Sequence, residues 1–173
     1  SHAERAAKKE ISHPVGHALH CRRICHVEQS RQYWANAPAT IDGVLGGMEH
    51  VHEVDIAESR AFVESLSLPR RDRALDCAAG IGRVSKNLLC PMFKITDLIE
   101  RSENLLNVAK AALRRERVGK FILGSLERAE LPHTYDLIAL QWAAAYLADE
   151  ALIAFLSRCR KALSPGGVIY IKD

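Results

Sequence analysis

The residues with the most chemical promise lie in "ALDCAAGIGR", 74–83. Asp76 sits in a short apolar run, and Gly80 and Gly82 follow it, with Ala78 where loops of this kind usually carry a first glycine. Glycines there let the backbone approach a ligand closely, and the helix that follows offers free N–H groups. A dinucleotide fingerprint begun at Gly80 and Gly82 would need a third glycine where the chain has Ser85, and no Walker lysine motif is present. A pyrophosphate cofactor is therefore disfavoured. Glu100 lies twenty residues after Gly80, where an acid can hydrogen-bond both ribose hydroxyls. A loop without a phosphate grip plus a ribose acid suits an S-adenosyl nucleoside. A glycine turn beside a surface Glu is the alternative. Negative φ is expected at Ala78, its methyl forming a slightly tighter wall than glycine would.

These residues need elements to hold them. From about residue 72, strand and helix patterns alternate: strands at 73–79, 94–100, 120–125, 135–142 and 168–173. Between them, 82–90 reads as a helix stopped by Pro91, and Ser102 can cap a helix running through 103–118 with Leu105, Leu106, Ala109, Ala112 and Leu113 on one face. Asp149 can cap another, with Leu152, Ile153, Leu156, Cys159, Arg160 and Leu163 at helical spacing. Strands separated by helices imply an α/β fold, a doubly wound and mostly parallel sheet. The division expected is a 1–26 extension, a 27–71 helical lid and a 72–173 α/β domain. In the lid, 27–36 reads as a short helix, 41–48 as a glycine-rich loop, and 58–68 as an amphipathic helix stopped by Pro69. Asp55 and Glu58 are spaced as a capping box for it.

Composition limits the function classes. The chain has 173 residues, 48% hydrophobic and 26% charged, enough for one domain with a core. No apolar run approaches the ~20 residues of a membrane span, and no signal peptide is read at the start. A first residue other than Met suggests a processed boundary. A net charge of +3 is too mild to argue for nucleic acid, and no direct binding to it is expected. Five cysteines, an odd count, read as reduced thiols in a cytoplasmic and/or nuclear protein. "HALHCRRICH", 17–26, has spacings that complete no zinc framework, so it reads as an N-terminal arm and no metal is expected. Between residues 34 and 64 there are six acids (Asp42, Glu49, Glu53, Asp55, Glu58, Glu64) and one base, Arg60. Such a segment is either a solvated helix face or a docking surface for a cationic partner.

Four stretches carry a resemblance: "YWANAPATIDGVLGG" (33–47), "ALDCAAGIGRVSKNLL" (74–89), "YDLIALQW" (135–142) and "VIYIKD" (168–173). Through them the chain resembles the class I S-adenosylmethionine-dependent methyltransferases. More narrowly, it is similar to the protein α-N-terminal methyltransferases, which act on X-Pro-Lys amino termini. That resemblance implies S-adenosylmethionine as cofactor, S-adenosylhomocysteine as its product, and protein N-termini as partners. It implies that Ala78 and Arg83 meet the methionine end, Arg83 pairing with its carboxylate, with Gly80 also in the cofactor-binding set. Glu100, Arg101 and Ser102 would border the ribose, Leu126 and Glu127 the adenine, with Gln141 nearby. Trp34, Leu45, Trp142 and Tyr146 would line the peptide channel. The chain departs from the pattern at Ala78 (usually Gly), Glu100 (often Asp), Glu127 (usually Gln) and Tyr146 (His in some members). The family's fold continues beyond the fifth strand with a helix and two strands. That continuation carries an Asn gripping the substrate amine and acids accepting its proton. No catalytic residue is therefore assigned within 1–173, and the chain is expected to be the cofactor half of the enzyme. A small-molecule methyltransferase and a non-catalytic S-adenosylmethionine-binding protein are the alternatives, with an NAD oxidoreductase behind them.

Overall fold

The computed structural model describes residues 28–30 and 32–173. Five strands form one sheet: β1 (Arg73–Cys77), β2 (Ile95–Glu100), β3 (Val118–Leu123), β4 (Tyr135–Gln141) and β5 (Leu163–Lys172). Their order is β3-β2-β1-β4-β5, and every pairing is parallel. The order reverses between β1 and β4, which opens a crevice beyond their carboxyl ends. The helices are α1 (His52–Ser65), α2 (83–92), α3 (Glu103–Ala112) and α4 (Asp149–Ala162). Residues 28–30 and 32–36 are also helical, as the sequence suggested for that stretch.

The central strands are apolar without interruption because both faces of the sheet are covered. All seven residues of β4 are buried. On one face Leu75, Cys77, Ile138 and Leu140 pack with Phe155, Cys159 and Ala162 of α4. On the other, Ala74, Leu137 and Ala139 pack with Val84, Leu88 and Leu89 of α2 and Val63 of α1. In α4, Ile153 and Arg160 lie outside the buried stripe, because Phe155, Cys159 and Ala162 set its inward face. Beneath the sheet Asp97 of β2 is pinned by Arg73 (2.8 and 2.9 Å), the Lys120 amide (2.8 Å) and the Tyr135 hydroxyl (3.1 Å).

Several element boundaries differ from the sequence reading, each for a local reason. Helix α2 continues through Pro91, which sits near the start of its last turn (Cys90–Met92). Ser85–Leu89 of α2 is π-helical. Helix α3 ends at Ala112, and only Leu105, Leu106 and Ala109 of its length are buried, so Ala112 faces solvent. Strand β3 claims Val118. Asp149 is the first residue of α4 and Ala148 its cap, without a side-chain bond. Glycine-rich 41–48 contains a helical turn, Ile41–Val44, capped by Thr40 Oγ1 accepting from the Gly43 amide at 3.0 Å. Most consequential is α1, which starts at His52 and ends at Ser65. Asp55 is therefore inside the helix, not at a capping box. "HALHCRRICH" lies outside the described residues, and among those described no His/Cys/Asp/Glu cluster of metal-binding arrangement occurs. Among them too, no helix is long and apolar enough to cross a membrane.

Candidate functional site

The loop after β1 is wound by three left-handed residues in alternation: Ala78 (φ 58°), Gly80 (φ 57°) and Gly82 (φ 76°). The negative φ expected at Ala78 is overturned. Only a left-handed residue there lets the chain turn sharply off the strand, and Ala pays the strain that glycine would avoid. Asp76, at the end of β1, closes the loop from below. Its Oδ2 accepts from both the amide (2.9 Å) and hydroxyl (2.6 Å) of Ser85. Ser85, which counted against a dinucleotide fingerprint, thus has its own task. Burial pushes the Asp76 carboxyl up to about 6, against the pull of the Ser85 bonds and Arg83.

Glu100 closes the loop from the side. Its Oε2 accepts from the Gly80 amide at 2.8 Å and its Oε1 from the Ser102 amide at 2.7 Å. Each oxygen keeps a lone pair for a further donor. Arg83 is buried at the start of α2 and donates through Nη1 to Asp55 (2.7 Å) and His52 Nδ1 (3.3 Å). Among the described residues, Nε and Nη2 have no hydrogen-bond partner.

A cleft of about 1020 Å³, counting the space open to solvent, lies over these strand ends. Of the residues singled out in the sequence, Ala78, Gly80, Arg83, Glu100, Arg101, Leu126, Glu127 and Gln141 line it, as do Trp34, Trp142 and Tyr146. Ser102 does not: its hydroxyl caps α3 by accepting from the Leu105 amide at 3.5 Å. Nor does Leu45, which is 2% exposed and packed inside, while its neighbour Val44 faces the cleft. The aromatic wall has its own geometry. Trp34 meets Tyr146 edge to face at 5.4 Å and Tyr33 at 4.9 Å. The Trp34 indole N–H is buried with no partner among the described residues. Trp142 is, among the described residues, the second non-glycine residue at positive φ, 58°, held by its amide donating to the Lys172 carbonyl at 2.7 Å.

Asp55 and His52 are the residues that sequence reasoning missed. The inward face of α1 is His52, Asp55, Ile56, Ser59 and Val63. That face has helical spacing but mixed polarity, so an apolar stripe was visible only in its second half. The signal available was three polar residues in register with Ile56 and Val63. The acidic stretch is correspondingly divided: Asp55 points inward, and Glu58 pairs with Lys172 at 3.0 Å.

Comparison with known proteins decides the family. The family described as AdoMet dependent proline di-methyltransferase matches residues 23–173. The chain belongs to this family. It is 42% identical to N-terminal Xaa-Pro-Lys N-methyltransferase 1-B of Xenopus laevis over 153 residues, covering 84% of this chain and 69% of the relative. A solved S-adenosylmethionine-dependent methyltransferase of Leishmania major is similar at 49% identity with a TM-score of 0.81. That match covers 86% of this chain and 61% of the Leishmania one, so the chain spans less than two thirds of it. Phosphoethanolamine N-methyltransferase 1 of Haemonchus contortus, solved with S-adenosylhomocysteine, shares the fold at 19% identity and a TM-score of 0.69. The AdoMet-dependent methyltransferase family thus accounts for the sheet order, and the residues present fit its cofactor. A carboxylate and a guanidinium with donors to spare share one cleft beyond the strand ends.

Proposed function

We propose that the intact protein binds S-adenosylmethionine in this cleft and methylates the α-amine of protein N-termini of X-Pro-Lys type. The observation that carries the reading is that one cavity is lined by both Arg83 with Glu100 and the aromatic set Trp34, Trp142 and Tyr146. Bound there, the cofactor supplies an electrophilic methyl on a sulfonium. The chain's own residues bind and orient. Arg83 offers its unused N–H groups to a carboxylate, a charge-assisted pair. Glu100 offers its free lone pairs to two hydroxyls while fixing the Gly80 and Ser102 amides. Leu126, Glu127 and Arg101 wall the nucleoside side.

An α-amine has a pKa of about 7.7–8, so an appreciable fraction is neutral near physiological pH. The aromatic faces of Trp34, Trp142 and Tyr146 suit an ammonium product. Burial, with Asp173 and Tyr33 nearby, raises the Tyr146 hydroxyl above its ordinary range. At neutral pH it therefore stays a phenol, able to donate but not to remove a proton as phenolate. Asp55 is no base either, since its lone pairs are already engaged. In this reading residues 27–71 act as a lid on the 72–173 domain. The site of action is cytoplasmic and/or nuclear, in keeping with the free, buried thiols of Cys77, Cys90 and Cys159.

The test incubates the intact protein with S-adenosylmethionine and an X-Pro-Lys peptide, free or N-acetylated, with mass readout. Methylation of the free peptide alone is expected. Equal methylation of the acetylated peptide would exclude the α-amine. S-adenosylhomocysteine binding without any methylation would make this a cofactor-binding protein only. Glu100→Ala should weaken S-adenosylhomocysteine binding by one or two charge-assisted hydrogen bonds, ~1.5–3 kcal/mol each. Unchanged affinity by calorimetry would remove Glu100 from the ribose.

A further inference from the structure

The inward centre of α1 is a carboxylate, Asp55, that is 3% exposed. Four donors reach it from three elements outside its own helix. On Oδ2 they are Arg83 Nη1 and Gln141 Nε2, both at 2.7 Å. On Oδ1 they are Trp142 Nε1 at 3.0 Å and Lys172 Nζ at 2.9 Å. A carboxylate presents about four lone-pair sites, so Asp55 is fully engaged. Three of those donors (Arg83, Gln141 and Trp142) line the cleft, while Asp55 itself does not. Burial alone would raise this carboxyl, but the bonds from Lys172, Arg83 and Trp142 hold it below the ordinary range.

We propose that Asp55 is a positioning residue for both halves of the cleft, fixing the Arg83 guanidinium on the cofactor side and the Trp142 indole on the peptide side. The inference rests on the methyltransferase reading above. With Nη1 committed to Asp55 and His52, Arg83 has its remaining N–H groups fixed in direction for a ligand carboxylate. The bond from the Trp142 Nε1–H sets the rotation of a ring whose backbone is already constrained at positive φ. The contrast is Trp34, whose indole N–H has no partner among the described residues. One buried anion thereby couples α1 to the ends of β4 and β5 and the start of α2, and gives the acid a purpose distinct from attracting a cationic substrate.

Asp55→Asn tests this directly. The amide keeps the size but turns one acceptor into a donor. Whichever way it flips, its NH2 faces two donors. On the intact protein, the S-adenosylhomocysteine dissociation constant, peptide KM, kcat and Tm are measured for wild type, Asp55→Asn, Trp142→Phe and the double variant. Asp55→Asn should raise both the dissociation constant and the peptide KM about tenfold. Trp142→Phe, which keeps a ring but loses the N–H, should raise the peptide KM alone. In the double variant the two effects on KM should not add, since they remove one bond. A folded Asp55→Asn with a lower Tm but both constants unchanged would make Asp55 merely structural and overturn the proposal, as would additive effects on KM. If Asp55→Asn does not fold, Trp142→Phe decides: a raised KM with unchanged cofactor affinity supports the proposal, and an unchanged KM overturns it. A wild-type protein that neither binds S-adenosylhomocysteine nor methylates the peptide would instead bring down the methyltransferase reading, and this inference with it.

Discussion

Ala78 and Asp76 show how much of the site is decided by single groups. Ala78 holds φ 58°, where a Cβ costs roughly 1–2 kcal/mol, part of which glycine gives back as unfolded-chain entropy. Ala78→Gly should therefore stabilise the protein by about 0.5–1 kcal/mol, read as a higher urea midpoint. A lower midpoint would mean that the methyl makes a contact worth more than the strain. Asp76 gives a signed pH effect. Its carboxyl is pushed from 3.8 up to about 6 by burial, with Ser85 and Arg83 opposing and Glu100 reinforcing. Between about pH 4 and about pH 6 the folded state then holds a proton that the unfolded chain has lost, so stability falls as pH rises, on the order of 3 kcal/mol. Asp76→Asn, still able to accept from Ser85, should flatten that slope in urea titrations at stepped pH, and an unaltered slope would assign it to another group. The glycines and Glu100 were legible in the sequence because spacing alone marks them. The φ of Ala78 was not, because a residue's type does not reveal the turn imposed on it.

Elements were legible where polarity and period agreed. The five strands and helices α3 and α4 followed from apolar runs and helical spacing, with Ser102 capping α3. Their ends drifted where the next element took residues over, as β3 took Val118. Helix α1 was half hidden because its inward face mixes His52, Asp55 and Ser59 with Ile56 and Val63. Polar groups satisfied across long sequence distances leave no local mark: Tyr170 donates to Ser59, 111 residues away, at 3.0 Å. Between elements, Gly82 is a tight fit in the cofactor loop. A Cβ on it would lie 3.1 Å from Leu113 Cδ1 and 3.2 Å from Ala109 Cβ, at φ 76°. Gly82→Ala should then push the cofactor loop off α3 and cost about 1–3 kcal/mol by strain and overpacking. Thermal unfolding checks this, and a loss under about 0.5 kcal/mol would mean that α3 shifts freely.

At the scale of the whole molecule, the cleft is bounded by residues from the first helical segment, both central strands and the loops after β2, β3 and β4. A ligand that bridges so many elements should stabilise them together. At one hundred times its dissociation constant, S-adenosylhomocysteine should add about 2.7 kcal/mol to unfolding, seen as a single shifted calorimetric transition. A second, unshifted transition would show that part of the chain unfolds independently of the site. Ala78 and Trp142, the two non-glycine residues held at positive φ among the described residues, stand at the ends of neighbouring strands β1 and β4. Under laboratory selection for heat resistance alone, both positions would be free to drift toward glycine. At 78 such drift would relieve backbone strain and remove only a methyl. At 142 it would discard a wall of the cleft, so the same selective pressure would repair one strand end and dismantle its neighbour.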